Sequence, residues 1–475
     1  MVESVLETHF RWIGGLLVSE FSTTTQVLFD RSFPKPLVAS FDQPRTSSDA
    51  GGVLLRLLDD QLGVTAALAA ALPDSRDASR VQHSQLDLVR QRVYAIACGY
   101  EDGNDAGRLR FDPTQLLLLG RDPLSGRPLG SQPTLSRFEN RHALRGLIAG
   151  GEAIMDTVVG SHRRRLGKRV KRITIDLDGT VDPAYGHQQG VLFNGHFDQH
   201  CLYPLLATLQ FDREADQHLV AALWRPGTAS ASLGFRAILR RLLPRLRMAF
   251  PNAKLRVRAD AGFAVPRVYD YLEQHGLEYV IGFMNNKKLA KLTQPLLERA
   301  RAMSAATGES ARAFGDLRYR ADSWPHERRL IIKAEVTRYP GRAPRDNPRF
   351  VITNLKGRPE AIYARIYAAR GDMENRVKEA KEALRIDRLS CSSMLANQLR
   401  LLLTLCAFAL YQLLRLHAAR TELARAQIGT LRERLIKLAG EYHTSRRRTT
   451  LRLPAHTPNQ LAWARIAYSL QANAP

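Results

Sequence analysis

Three acidic residues and a row of basic ones carry the chemistry this sequence offers. Residues 367–384 read Y-A-A-R-G-D-M-E-N-R-V-K-E-A-K-E-A-L. At about 100° per residue, Tyr367, Arg370, Glu374 and Lys381 fall within roughly 60° of one another on a helix, and Lys378 and Arg385 join their stripe. Ile362, Ile366, Met373, Val377, Ala380 and Leu384 form a neighbouring apolar stripe that would seat the helix. Gly371 is its weak point, costing about 1 kcal/mol against alanine. The plain alternative is a solvated face with Glu374 and Lys378 paired four residues apart. Far upstream, R-I-T-I-D-L-D places Asp176 and Asp178 at the end of an alternating run, and K-L-R-V-R-A-D ends another on Asp260. Carboxylates from two strand ends and a helix can converge at one sheet edge. Three such oxygen donors suit a hard divalent ion such as Mg²⁺. Two ions can activate a hydroxyl and stabilise the departing oxygen of an in-line phosphoryl displacement, with the basic stripe gripping the phosphodiester.

The elements that must position these residues follow from periodicity. Residues 172–178 alternate strictly, Ile173, Ile175 and Leu177 on one face and Thr174, Asp176 and Asp178 on the other. Strands are expected at 191–197, 202–209, 254–260 and 278–283, and helices at 217–224, 235–250 and 265–275. The chain up to about 150 reads as mostly helical, notably at 51–72 and 86–98. Residues 99–107 read as a turn, lacking the ligand order of a calcium loop. A helix is expected in S-Q-P-T-L-S-R-F-E-N, with Ser136 and Glu139 at capping-box spacing and Thr134, Arg137 and Asn140 along one side, a face that could touch DNA. Between 285 and 355 a Lys-rich helix and strand-like pieces at 317–319, 329–336 and 350–353 read as an insertion. A long apolar helix at 394–416, a Leu-spaced helix (Leu423, Leu431, Leu435, Leu438) and a strand-like piece at 449–453 follow.

The 475 residues carry Lys+Arg 70 against Asp+Glu 46, a formal net charge of +24. That excess recurs along the chain, notably at 163–172 and 446–448, and such a spread basic surface favours a polyanion partner, nucleic acid above all. The apolar run 401–411 is too short to cross a bilayer, and the N-terminus is too acidic for a signal peptide, so no membrane partner is expected. Cys98, Cys201, Cys391 and Cys406 are widely spaced, as in a reduced cytoplasmic protein. His196, His200 and Cys201 make a poor zinc pattern. G-T-A-S-A-S-L-G at 227–234 lacks the lysine of a Walker loop and reads as a connection.

Taken together, these motifs resemble a DDE transposase of a bacterial insertion sequence. Tyr367, Arg370, Glu374 and Lys381 match the Y-(2)-R-(3)-E-(6)-K signature of the insertion sequence 4 group. L-D-G-T-V-D-P-A-Y-G-H-Q-Q-G, W-R-P-G, R-A-D-A-G-F, G-Y-E-D and S-Q-P-T-L-S-R-F-E-N most resemble the insertion sequence 1380 family. Ala261 departs from the serine expected after the aspartate. The resemblance implies an α/β RNase-H-like catalytic core, a mixed sheet flanked by helices, with a β-containing insertion and a mainly helical N-terminal DNA-binding region. It implies Asp178, Asp260 and Glu374 as catalytic and metal ligands, Asp176 as a supporting carboxylate, and two Mg²⁺ ions (Mn²⁺ as substitute). Tyr367, Arg370, Lys378 and Lys381 would bind DNA, and Trp324 would stack on a flipped base. The implied divisions are 1–165, 166–284, 285–355, 356–420 and 421–475. The implied partners are double-stranded DNA, as terminal inverted repeats and target, and a second copy in a paired-end homodimer acting at the nucleoid.

Two other readings share these residues. I-D-L-D-G-T-V matches the D-x-D-G-T motif of haloacid-dehalogenase-like phosphatases, with Asp176 as nucleophile and Asp178 as general acid. That reading explains neither the charge nor the Glu374 helix. A DNA-binding relative without catalysis is the other, and the presence of all three carboxylates argues against it.

Overall fold

The computed structural model describes residues 33–472 and, before them, the strands Phe10–Ile13, Leu16–Ser19 and Gln26–Phe29. The acidic opening of the chain lies outside the described residues. A nine-stranded mixed sheet organises the rest. Its order is His218–Leu223, Leu205–Phe211, Arg172–Gly179, Lys254–Ala259, Glu278–Phe283, Arg349–Thr353, Arg328–Thr337 and Ala311–Tyr319, with Arg345–Asp346 pairing beside Arg328–Thr337. Lys254–Ala259 runs parallel to both of its neighbours, and every other pairing is antiparallel. Alternation in Arg172–Gly179 works as its sequence pattern requires. Ile173, Ile175 and Leu177 enter the main core, while the acidic positions take the opposite face. On that opposite face, Val280, Ile331 and Val351 are covered by Ile362, Ile366 and Tyr367.

The strands of the segment expected as an insertion continue this central sheet through Glu278–Phe283. Helix Lys287–Thr307 packs on them through Leu297 and Ala300 against Ala313, Ala334 and Val336. Helices Val53–Leu62, Val64–Ala71, Gln85–Cys98 and Leu144–Leu166 account for the expected N-terminal helical region. Ahead of them, however, four short strands ending with Leu37–Ser40 form an antiparallel sheet, so the region is not helical throughout. The expected helix at 217–224 is instead the edge strand His218–Leu223. Its alanines and leucines favour helix locally, but pairing with Leu205–Phe211 overrides a weak propensity. Of the Leu-spaced helix expected over 423–438, the helical part is Ile428–Leu431 continuing into the π-helix Arg432–Ile436, which carries Leu431 and Leu435 but not Leu423 or Leu438, and a C-terminal helix, Gln460–Ala472, was not anticipated.

Helix Met394–His417 is the spine of the core. Eighteen of its residues are buried, including the run from Leu399 to Gln412. It is longer than its apolar run suggested, and by length and composition it could cross a bilayer, yet 89% of its apolar window is buried inside the molecule. Its apolar surface is taken up by neighbouring helices and the sheet. The four cysteines are free, and only Cys391 is not fully buried.

Candidate active site

Asp178 and Asp260 stand side by side because their strands are parallel and end together. Leu177 pairs with Ala259, so the next residue along each strand lies at the same sheet edge. Asp260 then caps a short turn, its Oδ1 accepting a hydrogen bond from the Gly262 N–H at 2.9 Å. Two glycines make room. A methyl group at Gly179 would overlap the Tyr203 ring and Arg225, and one at Gly282 would overlap the Tyr367 hydroxyl.

Glu374 arrives from a segment whose winding changes twice. Ile362–Tyr367 is a π-helix, Ala368–Arg370 a 3₁₀ turn, and only Gly371–Leu384 a regular α-helix. The uniform helix expected from 367 therefore begins at Gly371, the residue marked as its weak point. The cause lies in the sheet. Arg258 grips Asp176 with two bonds of 2.6 and 2.7 Å, and its other terminal nitrogen donates to the Ile366 carbonyl at 2.8 Å. A carbonyl inside the π-helix is thus tied to two strands, a winding defect of the kind that often marks functional sites. Asp176 is fully buried in this bond. It is a structural partner of Arg258, not a carboxylate offered to a metal or a phosphorylated nucleophile, and the phosphatase reading falls with it.

Arg370 brings the three carboxylates together. Its guanidinium lies 2.9 Å from Asp178, 2.8 Å from Glu374 and 4.0 Å from Asp260. Asp178 is 14% exposed and Glu374 62%, a buried floor with an open rim. Burial pushes Asp178 up to about 6, the Asp260 and Glu374 carboxylates act in the same direction, and Arg370 opposes them. Three hard oxygen donors facing one positive charge are a fitting donor set for a divalent cation. Lys378 and Lys381 line the same open cleft, about 410 Å³, beside Asp178, Thr180 and Glu374. Lys381 also donates to the Val181 carbonyl at 2.5 Å, while Lys378 pairs loosely with Glu382 on the outside. The Tyr367 hydroxyl lies against Gly282.

Sequence reasoning missed Arg225 and Tyr203. Arg225, 1% exposed, donates to the carbonyls of Tyr203, Ser230, Ala231 and Leu233. Its Nη2 has no partner and faces Gly179. Burial lowers it to about 10, with Tyr203, Asp178 and Asp260 pulling the other way. The loop it holds, residues 226–234, packs Ala231 against Gly262, one turn from Asp260. The signal was present in W-R-P-G, a motif noted without a role for its arginine.

Other expected features stand apart. Trp324 is 5% exposed, packed edge-on against Tyr269, Phe283 and Tyr319 with Arg328 nearby. It is a core residue here, and its expected stacking role is corrected accordingly. His200 and Cys201 are adjacent on strand Gln199–Leu202 and so face opposite ways. Among the described residues, the carboxylates and histidines whose donor atoms gather within 4.8 Å of one another are Asp270, Glu273 and His326 rather than the three around Arg370, which holds Asp178, Asp260 and Glu374 further apart. Arg328 already spans Asp270 and Glu273 at 2.7 and 2.9 Å, and its buried charge makes this an ion-pair network fastening Pro266–Gln274 to the sheet.

A comparison with curated proteins finds no match. A family model described as transposase DDE domain group 1 matches residues 29–475, which include all three carboxylates. Membership carries with it DNA binding and phosphoryl transfer on nucleic acid. The chain belongs to the DDE transposase family.

Proposed function

We propose that this transposase serves an insertion sequence of the 1380 family. In this reading it binds the terminal inverted repeats of its element and catalyses strand cleavage and strand transfer in cut-and-paste transposition. The observation that carries the proposal is the convergence of Asp178, Asp260 and Glu374 on Arg370. An RNase-H-like core is supported by the strand order, an antiparallel meander of three strands followed by two parallel ones.

Asp178, Asp260 and Glu374 would hold two Mg²⁺ ions, or Mn²⁺ in their place. Bound there, the metal supplies Lewis acidity toward the scissile phosphate and its attacking hydroxyl. The chain's own residues do the rest. The two aspartates are fixed by paired strand ends, while Glu374, on the exposed rim, is free to adjust. Arg370, Lys378 and Lys381 present cations to the phosphodiester, in the manner of the Y-R-E-K signature, and the Tyr367 hydroxyl lies beside the Asp260 turn. Pairing two ends calls for two such centres, hence a homodimer working on nucleoid DNA in the cytoplasm.

The test is incubation of the protein with duplexes carrying candidate terminal repeats and Mg²⁺ or Mn²⁺, mapping each nick, beside hydrolysis of a small phosphate ester. Metal-dependent nicks at the repeat boundary support the reading. Ester hydrolysis without nicking would overturn it.

A further inference from the structure

Helix Gln132–Asn140 presents a second basic surface outside the catalytic cleft. Its inner side is locked. Leu135 and Phe138 are buried, and Glu139 accepts from Arg92 at 2.6 Å and from the Cys391 thiol at 3.6 Å, with Arg400 at 3.7 Å. Glu139 therefore sits inside the helix as an ion-pair anchor rather than in a capping box. The outer side carries Thr134, Arg137 and Asn140 at spacings of three, one face of the helix. They form one wall of an open groove of about 740 Å³, with Arg76, Arg80 and Arg141 around it. The lining contains four arginines and no carboxylate.

Two of the four arginines hold the groove in shape and two are left to a ligand. Arg76 pairs with Asp74 at 2.6 Å and donates to the His83 carbonyl at 2.9 Å. Arg141 bonds Gln85 and reaches Asp74. Arg137 has no carboxylate partner among the described residues, and Arg80 has only a loose contact to Asp77 at 3.6 Å. Arginine and asparagine on one helix face are the side chains that read guanine and adenine edges in a major groove, and arginines beside them suit phosphates. The surface is also tied to the active site. Cys391 follows the catalytic helix, and the carbonyl of neighbouring Ser392 accepts from the Gln189 N–H, in the chain that leaves Asp178.

We propose that this groove is a sequence-reading site for duplex DNA, with Arg137 and Asn140 at base edges and Arg80 on a phosphate. The proposal rests on the terminal-repeat reading and says which surface performs it.

The test is selection from a pool of randomised duplexes by the full chain, followed by anisotropy titrations with the enriched duplex and a scrambled one. Wild type is expected to enrich one motif. The Arg137→Ala/Asn140→Ala double variant, altered only at exposed positions, should bind the enriched duplex about ten- to a hundredfold more weakly, lose information at adjacent positions of the motif, and change little on the scrambled duplex. Arg80→Ala should weaken both duplexes alike and reduce the salt slope by about 1. A motif unchanged in the double variant overturns the groove assignment and leaves the terminal-repeat reading standing. Equal weakening on both duplexes overturns base reading by Arg137 and Asn140. A wild type that enriches no motif overturns both.

Discussion

Arg370 and Asp178, far apart in sequence, meet at 2.9 Å, and the same guanidinium reaches Glu374 at 2.8 Å. An arginine proposed to meet DNA thus also serves as the countercharge between the carboxylates of Asp178 and Glu374.

Replacing Arg370 with alanine leaves those carboxylates facing each other without a cation. Thermal or urea unfolding in chelator should show a loss of about 1–3 kcal/mol. Mn²⁺ should then raise the midpoint by more than it does in wild type, because the oxygens are no longer shared with a guanidinium. Equal midpoints and equal Mn²⁺ shifts would contradict the assignment.

The Asp176–Arg258 pair makes a separate prediction. Asp176→Ala strands a buried guanidinium and should cost about 3–5 kcal/mol in urea unfolding. Asp176→Asn keeps an acceptor for Arg258 and should retain measurable nicking. Dead but fully stable Asp176→Asn would mean that Asp176 acts in the chemistry itself.

How much of this was legible follows from the range of each signal. The strand ends at Asp178 and Asp260 were readable because alternation is local, and Glu374 because its partners Tyr367, Arg370 and Lys381 lie within a few turns. The Arg258–Asp176–Ile366 linkage depends on strand register between distant segments, so nothing local in R-V-R-A-D distinguished Arg258 from a surface arginine. Trp324 was misread for the complementary reason: its aromatic partners Tyr269, Phe283 and Tyr319 surround it only after the strands of 311–353 join the sheet. His218–Leu223 was misread because six apolar-rich residues suit either a helix or a buried strand.

Asp182 offers a pH test. It is buried with Oδ2 unpartnered, and burial and then Asp387 push it up to about 8 against the pull of Lys381. The folded state therefore keeps a proton that the unfolded chain releases near pH 4, and stability falls as pH rises between about 4 and about 8, by up to ~1.4 kcal/mol per unit. Asp182→Asn should remove that slope, leaving the variant relatively more stable above about pH 8 than below about pH 6. Parallel urea-midpoint profiles for the two proteins would contradict the assignment.

Asp178, Asp260 and Glu374 are assigned here to one metal-dependent centre acting on DNA. Its most direct measurement is nicking of an end-bearing duplex, with binding of that same duplex, by wild type, Asp178→Asn, Asp260→Asn and Glu374→Gln. Wild type should nick only with Mg²⁺ or Mn²⁺ present, and the three variants should bind the duplex without cutting it. Wild-type nicking by any one of the three, at any metal concentration, would contradict the assignment.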